Sequence, residues 1–380
     1  MSSNDLDPVT LVVAGALDQR TGGYLYDARI VEGLRARGRE VRVVELPGDW
    51  PEPASDAVDA FRSALAEQPD DAIVVVDGLV GGAAPDPIAD EADRLCLVAL
   101  VHHLLADEGD RPEAEVTELE ARERRTLEAA RRVIVTSEFT RDRVVELGAD
   151  PLRVEVVEPG TDRPTGRPRA ATAQPPSAAA RSPDEEGRPV TLLCLGSVVP
   201  RKDQEGLVRA LIAVHEDAPG ISWRLDVVGS LERDRSYADR VRAMVADSSI
   251  VDRTRFAGEV GKDALEEIWA EADVLVSASR YEGYGMALTE AMVRGLPVVA
   301  VAGGAVERTV PADVGLLVPG GDEAALRAAL HRVLADGAYR ARLAARSLEY
   351  GGSLPTWAGQ AEAFDTVLHD VLHAREIPHE

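Results

Sequence analysis

ADVLVSASRYEGYGMALTEAMVRGLPVVAVAGG, residues 272–304, decides how the rest of the chain is read. The β-branched run over 273–279 predicts a short buried strand. The turn Glu282-Gly283-Tyr284-Gly285 follows it, and apolar spacing then predicts a helix over 286–294. Gly295-Leu296-Pro297 stops that helix and starts a second strand, 297–304. A strand, a tight turn, a helix and a second strand in so short a span form a right-handed crossover between parallel strands. In such a unit the turn lies at the strand's carboxyl end, and the backbone N–H groups opening the helix have no partner within it. That makes an anion site.

The same unit recurs in both directions. VTLVVAGA (9–16), VRVVEL (41–46), AIVVVDG (72–78), LCLVALVHH (95–103), RVIVTS (132–137) and RVEVVEPG (153–160) read as strands. Helices are predicted between them from Tyr24 to Leu34 and near 56–67, 87–94, 113–130 and 138–147. The alternation stops at 162–189, DRPTGRPRAATAQPPSAAARSPDEEGRP, which reads as a flexible linker or insert. It resumes with VTLLCLGS (190–197), SWRLDVVGS (222–230), TRFAGEV (254–260) and GLLVP (315–319). Helices are expected at 203–216, 235–247, 263–271, 322–335, 338–350 and 355–373. The fold expected is α/β, with two doubly wound parallel sheets. Its parts are 1–161, the linker 162–189, 190–352, and a closing helix within 353–380. Open parallel sheets bind ligands at the carboxyl ends of their strands, so a site is expected where two such domains face each other.

The 380 residues carry 42 Lys and Arg against 67 Asp and Glu, a net charge of -25. Within 1–160 the counts are 17 and 34. Neither nucleic acid nor an anionic membrane surface suits so acidic a chain. The polar start MSSNDLDP lacks the apolar segment of a signal peptide, and no apolar run approaches a bilayer span, so a cytoplasmic protein is expected. Cys96 and Cys194 sit in separate apolar runs and read as buried thiols.

Four places carry chemistry. In the opening stretch, Glu282 and Glu290 are eight residues apart with Gly283 and Gly285 between them. Glu290, about one turn into the helix, is placed to accept both hydroxyls of a ribose. GSVVPRKD (196–203) sets Arg201 and Lys202 between a strand end and a helix start, which suits a diphosphate. Lys202 is one of only two lysines in the chain. Thr21-Gly22-Gly23 opens the first helix, and paired glycines admit a ligand close to the backbone. They do not form the dinucleotide fingerprint. His102 and His103 end the fourth strand, and neighbours there point to opposite faces, so they do not chelate one metal together. No Asp-x-Asp is placed to hold Mg²⁺, since Asp70-Asp71 is adjacent and precedes a strand.

In this order the four features resemble the retaining glycosyltransferases of the GT-B fold, family 4. VVEPGTD (156–162), RFAGEV (255–260) and ADVLVSASRYEGYG (272–285) are also similar to that family's usual segments. The resemblance implies two Rossmann-like domains facing across a cleft, with the last helix crossing back onto the first. It implies transfer of a sugar from a nucleotide-sugar donor, UDP- or GDP-linked, to a hydroxyl acceptor, with no cofactor and no metal. Arg201 and Lys202 would neutralise the diphosphate, with Gly196 and Ser197 beside it, and Glu290 would hold the ribose. Glu282 and the backbone of Gly283, Tyr284 and Gly285 would contact the transferred sugar and its phosphate. Gly258 to Val260 would lie near the base, Gly22 and Gly23 at the diphosphate, and His102 at the sugar. The acceptor, a small soluble molecule or a glycan, would occupy the first domain. Two positions depart from the family: Ser197 stands where many members carry Arg, and Asp203 where Gly usually follows the Lys. A sugar-nucleotide epimerase and a non-catalytic sugar-nucleotide-binding subunit are the alternative readings.

Overall fold

A computed structural model describes residues 6–109, 111–164 and 188–373. The chain divides into two units, Met1–Gly160 with Pro355–Glu380, and Thr161–Leu354.

The first unit runs β1 (Val9–Ala14), α1 (Gly22–Ala36), β2 (Val41–Leu46), α2 (Ser55–Ala66), β3 (Ile73–Asp77), α3 (Gly78–Ala83), α4 (Asp86–Glu91), β4 (Cys96–Val101), α5 (Glu113–Ala129), β5 (Arg132–Val135), α6 (Glu138–Glu146) and β6 (Val154–Val156). The strands pair in parallel, in the order β2-β1-β3-β4-β5-β6. β1, β3 and β4 are buried along their whole length, as the unbroken Val and Leu runs require of strands covered on both faces. The last helix of the chain, here α14 (Trp357–His373), belongs to this unit. A Cβ built at Gly33 of α1 would fall 2.3 Å from that of Ala361 in α14, so only glycine lets the two helices close. A buried pair at 2.6 Å between Asp365 of α14 and Arg39, in the loop after α1, ties α14 to this unit.

The second unit runs β7 (Val190–Leu195), α7 (Gln204–Asp217), β8 (Trp223–Val228), α8 (Arg235–Ala246), β9 (Thr254–Gly258), α9 (Lys262–Glu271), β10 (Val274–Ser277), α10 (Met286–Val293), β11 (Val298–Ala302), α11 (Val306–Thr309), β12 (Gly315–Pro319), α12 (Glu323–Ala335) and α13 (Gly337–Gly351). Its parallel sheet is ordered β12-β11-β10-β7-β8-β9. One apolar cluster, around Trp223, Leu211 and Leu330, covers one face. Another, around Trp269, Leu288 and Met292, covers the other. Both sheets are therefore doubly wound, as expected. Strand order reverses at β1/β3 in the first unit and at β7/β10 in the second, so the loops there diverge and leave room for a ligand.

Three differences from the sequence reading have local causes. The helix expected near 87–94 is α4, and an additional short helix, α3, precedes it; Pro85 separates the two because it lacks an N–H and pushes Ala84 out of the helical region. β6 pairs over three residues only. α11 escapes a reading by periodicity because it is a single turn. Of the expected linker, residues 165–187 lie outside the described residues. At its flanks, Arg163 donates to the carbonyls of Gly351, Gly352 and Leu354, and Arg188 pairs with Asp273 at 2.5 Å.

Candidate functional site

In the second unit the strand-end loops are stitched together through glycine. Gly196, with φ of 143°, donates to the Val228 carbonyl at 2.8 Å, and Gly229 donates to Gly258 at 2.9 Å. A Cβ on Gly229 would lie 2.2 Å from the Gly196 carbonyl oxygen. Gly229 thus has no room for a side chain against the end of β7, and Gly196 and Gly258 are glycine for their positive φ. Val198 donates to Ser230, and the Ser197 carbonyl accepts from Gln204. Val260 lies two residues beyond Gly258, half-buried.

Pro200–Lys202 then form a tight turn into Asp203, which sits in the left-handed region at φ 45°. This is the position where the family usually has glycine, and the backbone angle supplies the reason. Asp is tolerated because its carboxylate caps α7, accepting from Gly206 at 3.3 Å. The turn delivers Arg201 and Lys202 to one carboxylate. Lys202 Nζ donates to Glu282 Oε1 at 2.5 Å, and Arg201 Nη1 lies 3.8 Å from Glu282 Oε2 and donates to the Tyr281 carbonyl at 2.8 Å. Glu282 is only 9% exposed. Burial pushes its carboxyl up, but Lys202 and then Arg201 outweigh that and hold it below the usual carboxylate range.

Glu282 is pinned from behind. A bridge pairs it with Gly304, and Ala305 donates to its carbonyl at 2.8 Å. A Cβ on Gly303 would lie 2.2 Å from the Arg280 carbonyl oxygen, and one on Gly304 2.3 Å from that of Glu282. Gly283 follows, half-buried, and Thr309 Oγ1 donates to the Tyr284 carbonyl at 2.7 Å. Gly285, at φ 92°, opens α10 with no side-chain cap, and Glu290 lies half-buried one turn into that helix. The tertiary fold thus gathers Gly196, Arg201, Lys202 and Glu282. It also links Gly196 with Gly258 through Gly229.

In the first unit, Gly22 and Gly23 open α1, and a Cβ on Gly23 would meet His102 Cδ2 at 3.2 Å. His102 Nε2 lies 3.0 Å from Asp27 Oδ1 and 3.7 Å from Asp77 Oδ2. The Tyr26 ring meets its imidazole edge-on at 5.2 Å, and Thr136 Oγ1 donates to its carbonyl at 3.1 Å. His103 turns elsewhere, to Glu108 at 2.7 Å. Burial, then the charge of Asp27, pushes Asp77 up to about 7. Burial works against the imidazolium of His102, but Asp27 and then Asp77 outweigh it and raise its pKa. The donor atoms of Asp27, Asp77 and His102 lie within 4.8 Å of one another, a spacing that a proton or a cation bridges. Asp27, Asp77, Gly229 and the Gly303-Gly304 pair were not singled out from sequence. VVVDG and VVGS each end a strand in a polar or glycine turn, which was the available signal. Asp27 carries no such mark. Cys96 and Cys194 are buried free thiols, and burial pushes Cys194 up to about 12. Among the described residues no helix is long and apolar enough to cross a membrane.

Fold and site together define a two-unit α/β protein with a cation–carboxylate cluster and glycine turns at its strand ends. A model of the glycosyl transferase 4-like domain matches residues 9–160, and one of glycosyl transferases group 1 matches 189–336. The chain belongs to the group 1 glycosyl transferases of family 4. It is 33% identical over 245 residues to D-inositol 3-phosphate glycosyltransferase of Salinispora tropica, a match covering 62% of this chain and 50% of that one. The chain thus spans about half the length of that curated relative. Among solved structures it is similar to sucrose-phosphate synthase from Thermosynechococcus elongatus, with a TM-score of 0.77 and 22% identity over 97% of this chain and 100% of that one. It is also similar to Anabaena HepE in complex with UDP-glucose, with a TM-score of 0.69 and 16% identity over 96% of this chain and 99% of that one. At these identities the structural likeness speaks for the GT-B fold.

Proposed function

We propose that the chain is a retaining glycosyltransferase that moves a sugar from a UDP- or GDP-linked donor to a hydroxyl acceptor. The observation that carries this reading is the group of Arg201 and Lys202 around buried Glu282, at the reversal point of the second sheet. A departing nucleoside diphosphate gains negative charge as the glycosidic bond breaks, and fixed cations stabilise that change. An ammonium has three donors, so Lys202 can keep Glu282 and still bind a phosphate oxygen. The uncapped N–H groups at Gly285 and the start of α10 supply further donors without a metal.

On this reading Glu290 accepts the ribose hydroxyls, Gly258 to Val260 flank the base, and Glu282 contacts the transferred sugar. Gly22 and Gly23 leave backbone room for the diphosphate, and His102 contacts the sugar. The acceptor hydroxyl attacks from the face the diphosphate leaves, and the leaving phosphate takes its proton. The first unit binds the acceptor, a small polyol or a glycan. The name of the Salinispora relative makes D-inositol 3-phosphate the first acceptor to try. UDP-, GDP- and ADP-sugars are incubated with an acceptor panel, nucleoside diphosphate release is followed, and the product anomer is read by NMR. Release with the donor's configuration kept is expected. An inverted product refutes retention. Binding without release supports a non-catalytic subunit, and interconversion of free sugar nucleotides supports an epimerase.

A further inference from the structure

The first unit contains two buried carboxylates that the roles above do not use. Asp27 on α1 is fully buried, Asp77 closes β3 with little exposure, and both turn a carboxylate oxygen to the same nitrogen of His102. The imidazole keeps 17% of its surface, and its Nδ1 makes no hydrogen bond to any described residue. We propose that Asp27 and Asp77 are positioning residues that hold His102 as an imidazolium, with Nε2–H turned inward to Asp27 and Nδ1–H fixed as a donor to a substrate oxygen.

The geometry supports this in three ways. First, Asp27 Oδ1 lies at hydrogen-bond distance from Nε2, and an ionised carboxylate cannot donate, so that nitrogen carries the proton. Second, the ring is packed against its neighbours and its backbone is anchored. Tyr26 stands against it edge-on, Gly23 sits over Cδ2, and the His102 carbonyl is held by Thr136 and Thr140. Third, Asp27 Oδ2 is buried without a hydrogen-bond partner, while Asp77 Oδ1 already accepts from Leu79 N at 2.6 Å. A proton on Asp77 is the donor this group lacks. An imidazolium, one carboxylate and one carboxylic acid then sum to zero charge, the least costly state for a buried cluster. The titratable groups facing the ring are Asp27 and Tyr26 from α1 and Asp77 from β3, while the turn after β5 contributes Thr136 and α6 contributes Thr140. Burial pushes Tyr26 well above its ordinary range, so it stays neutral. That the outward donor meets a substrate oxygen rests on the glycosyltransferase reading, whereas the inward hydrogen bonding does not.

The test uses the full chain labelled with ¹⁵N-histidine, with His102 assigned by comparison with His102→Gln. Long-range ¹H–¹⁵N spectra are recorded from pH 5.5 to 8.5, with EDTA and then with one equivalent of Zn²⁺ or Mn²⁺. Both ring nitrogens of His102 are expected to be protonated at pH 6.5, and its midpoint to lie above those of the exposed histidines. Asp27→Asn should lower that midpoint by at least about one unit, a tenfold change in proton affinity. It should also lower kcat by roughly tenfold to a hundredfold with little change in donor KM, because a misplaced donor costs orientation in the transition state. Asp77→Asn keeps an oxygen for Leu79 N and gives a second variant should Asp27→Asn fail to fold. A neutral His102 at pH 6.5, or a midpoint unmoved in both variants, overturns the proposal. So does a His102 resonance shifted by one equivalent of either ion at micromolar concentration, which makes the occupant a cation. Full transfer by His102→Ala with the expected spectra overturns the outward contact alone, and no transfer by the wild type overturns the glycosyltransferase reading.

Discussion

Replacing Lys202 with methionine tests the second site most directly. The substitution keeps most of the side-chain volume and removes only the ammonium. At 2.5 Å from Glu282, that charge contributes a gross attraction of roughly 6–7 kcal/mol at an effective dielectric near 20. Most of this is spent on desolvating two charges, and loss of one partner of a buried pair typically costs about 3–5 kcal/mol. Here Arg201 remains, 3.8 Å from the same carboxylate. Lys202 also keeps 20% of its side chain in solvent. Both reduce the loss, to roughly 2 kcal/mol, or a fall of about 4–8 °C in the melting temperature of a unit of this size. Scanning calorimetry is the assay, because two units need not melt together. Glu282 has a lowered folded pKa, so its contribution is present above its unfolded value and lost as the pH falls through the folded one. The gap between wild type and variant should therefore be widest near pH 7 and close toward pH 4. Turnover should fall about 10²–10³-fold, the usual loss for one charge-stabilising contact. A melting temperature within a degree of wild type, or a gap that widens on acidification, would refute this account of the pair.

Three more expectations follow from single positions. Asp203→Ala loses the α7 cap and keeps the left-handed backbone, so it should cost about 2 kcal/mol, whereas Asp203→Gly trades the cap for relief of strain and should melt within about 2 °C of wild type; equal losses for both would show that the angle is not strained. Gly229→Ala forces the ends of β7 and β8 apart and should cost more than about 3 kcal/mol, and an unchanged melting temperature would contradict the packing. Glu123 is buried, accepts from Leu105 and Ala106, and is pushed up to about 7 by burial. With a raised folded pKa, its contribution is complete below the unfolded value and lost as the pH rises to about 7, so the first unit should weaken from pH 5 to pH 8 by at most roughly 3 kcal/mol. Glu123→Gln should make that decline shallower; an unchanged slope assigns it to other groups.

The strand and helix alternation and the cationic turn were legible from sequence because each is local, whereas the strand orders, and with them both reversal points, came from the fold. A strand covered on both faces must be an unbroken Val and Leu run, and a turn at φ above zero favours glycine. Asp203 is instructive: sequence marked it as an exception to a glycine position, and the backbone angle gives the reason. Elements too short to show a period, such as α3 and α11, were not recoverable in their observed form.

What the sequence determined by itself was thus the two-sheet architecture, and that Arg201, Lys202, Glu282 and His102 lie at strand ends. Only the tertiary structure decided their partners. Lys202 and Glu282 are 80 residues apart, and His102 is 75 from Asp27. Asp27 looks like any polar residue on an amphipathic helix until α1 turns it inward against β3 and β4. Periodicity reports which face of an element is buried, but not which element it is buried against. A buried charge is defined by that second fact, because its protonation depends on neighbours brought from elsewhere in the chain.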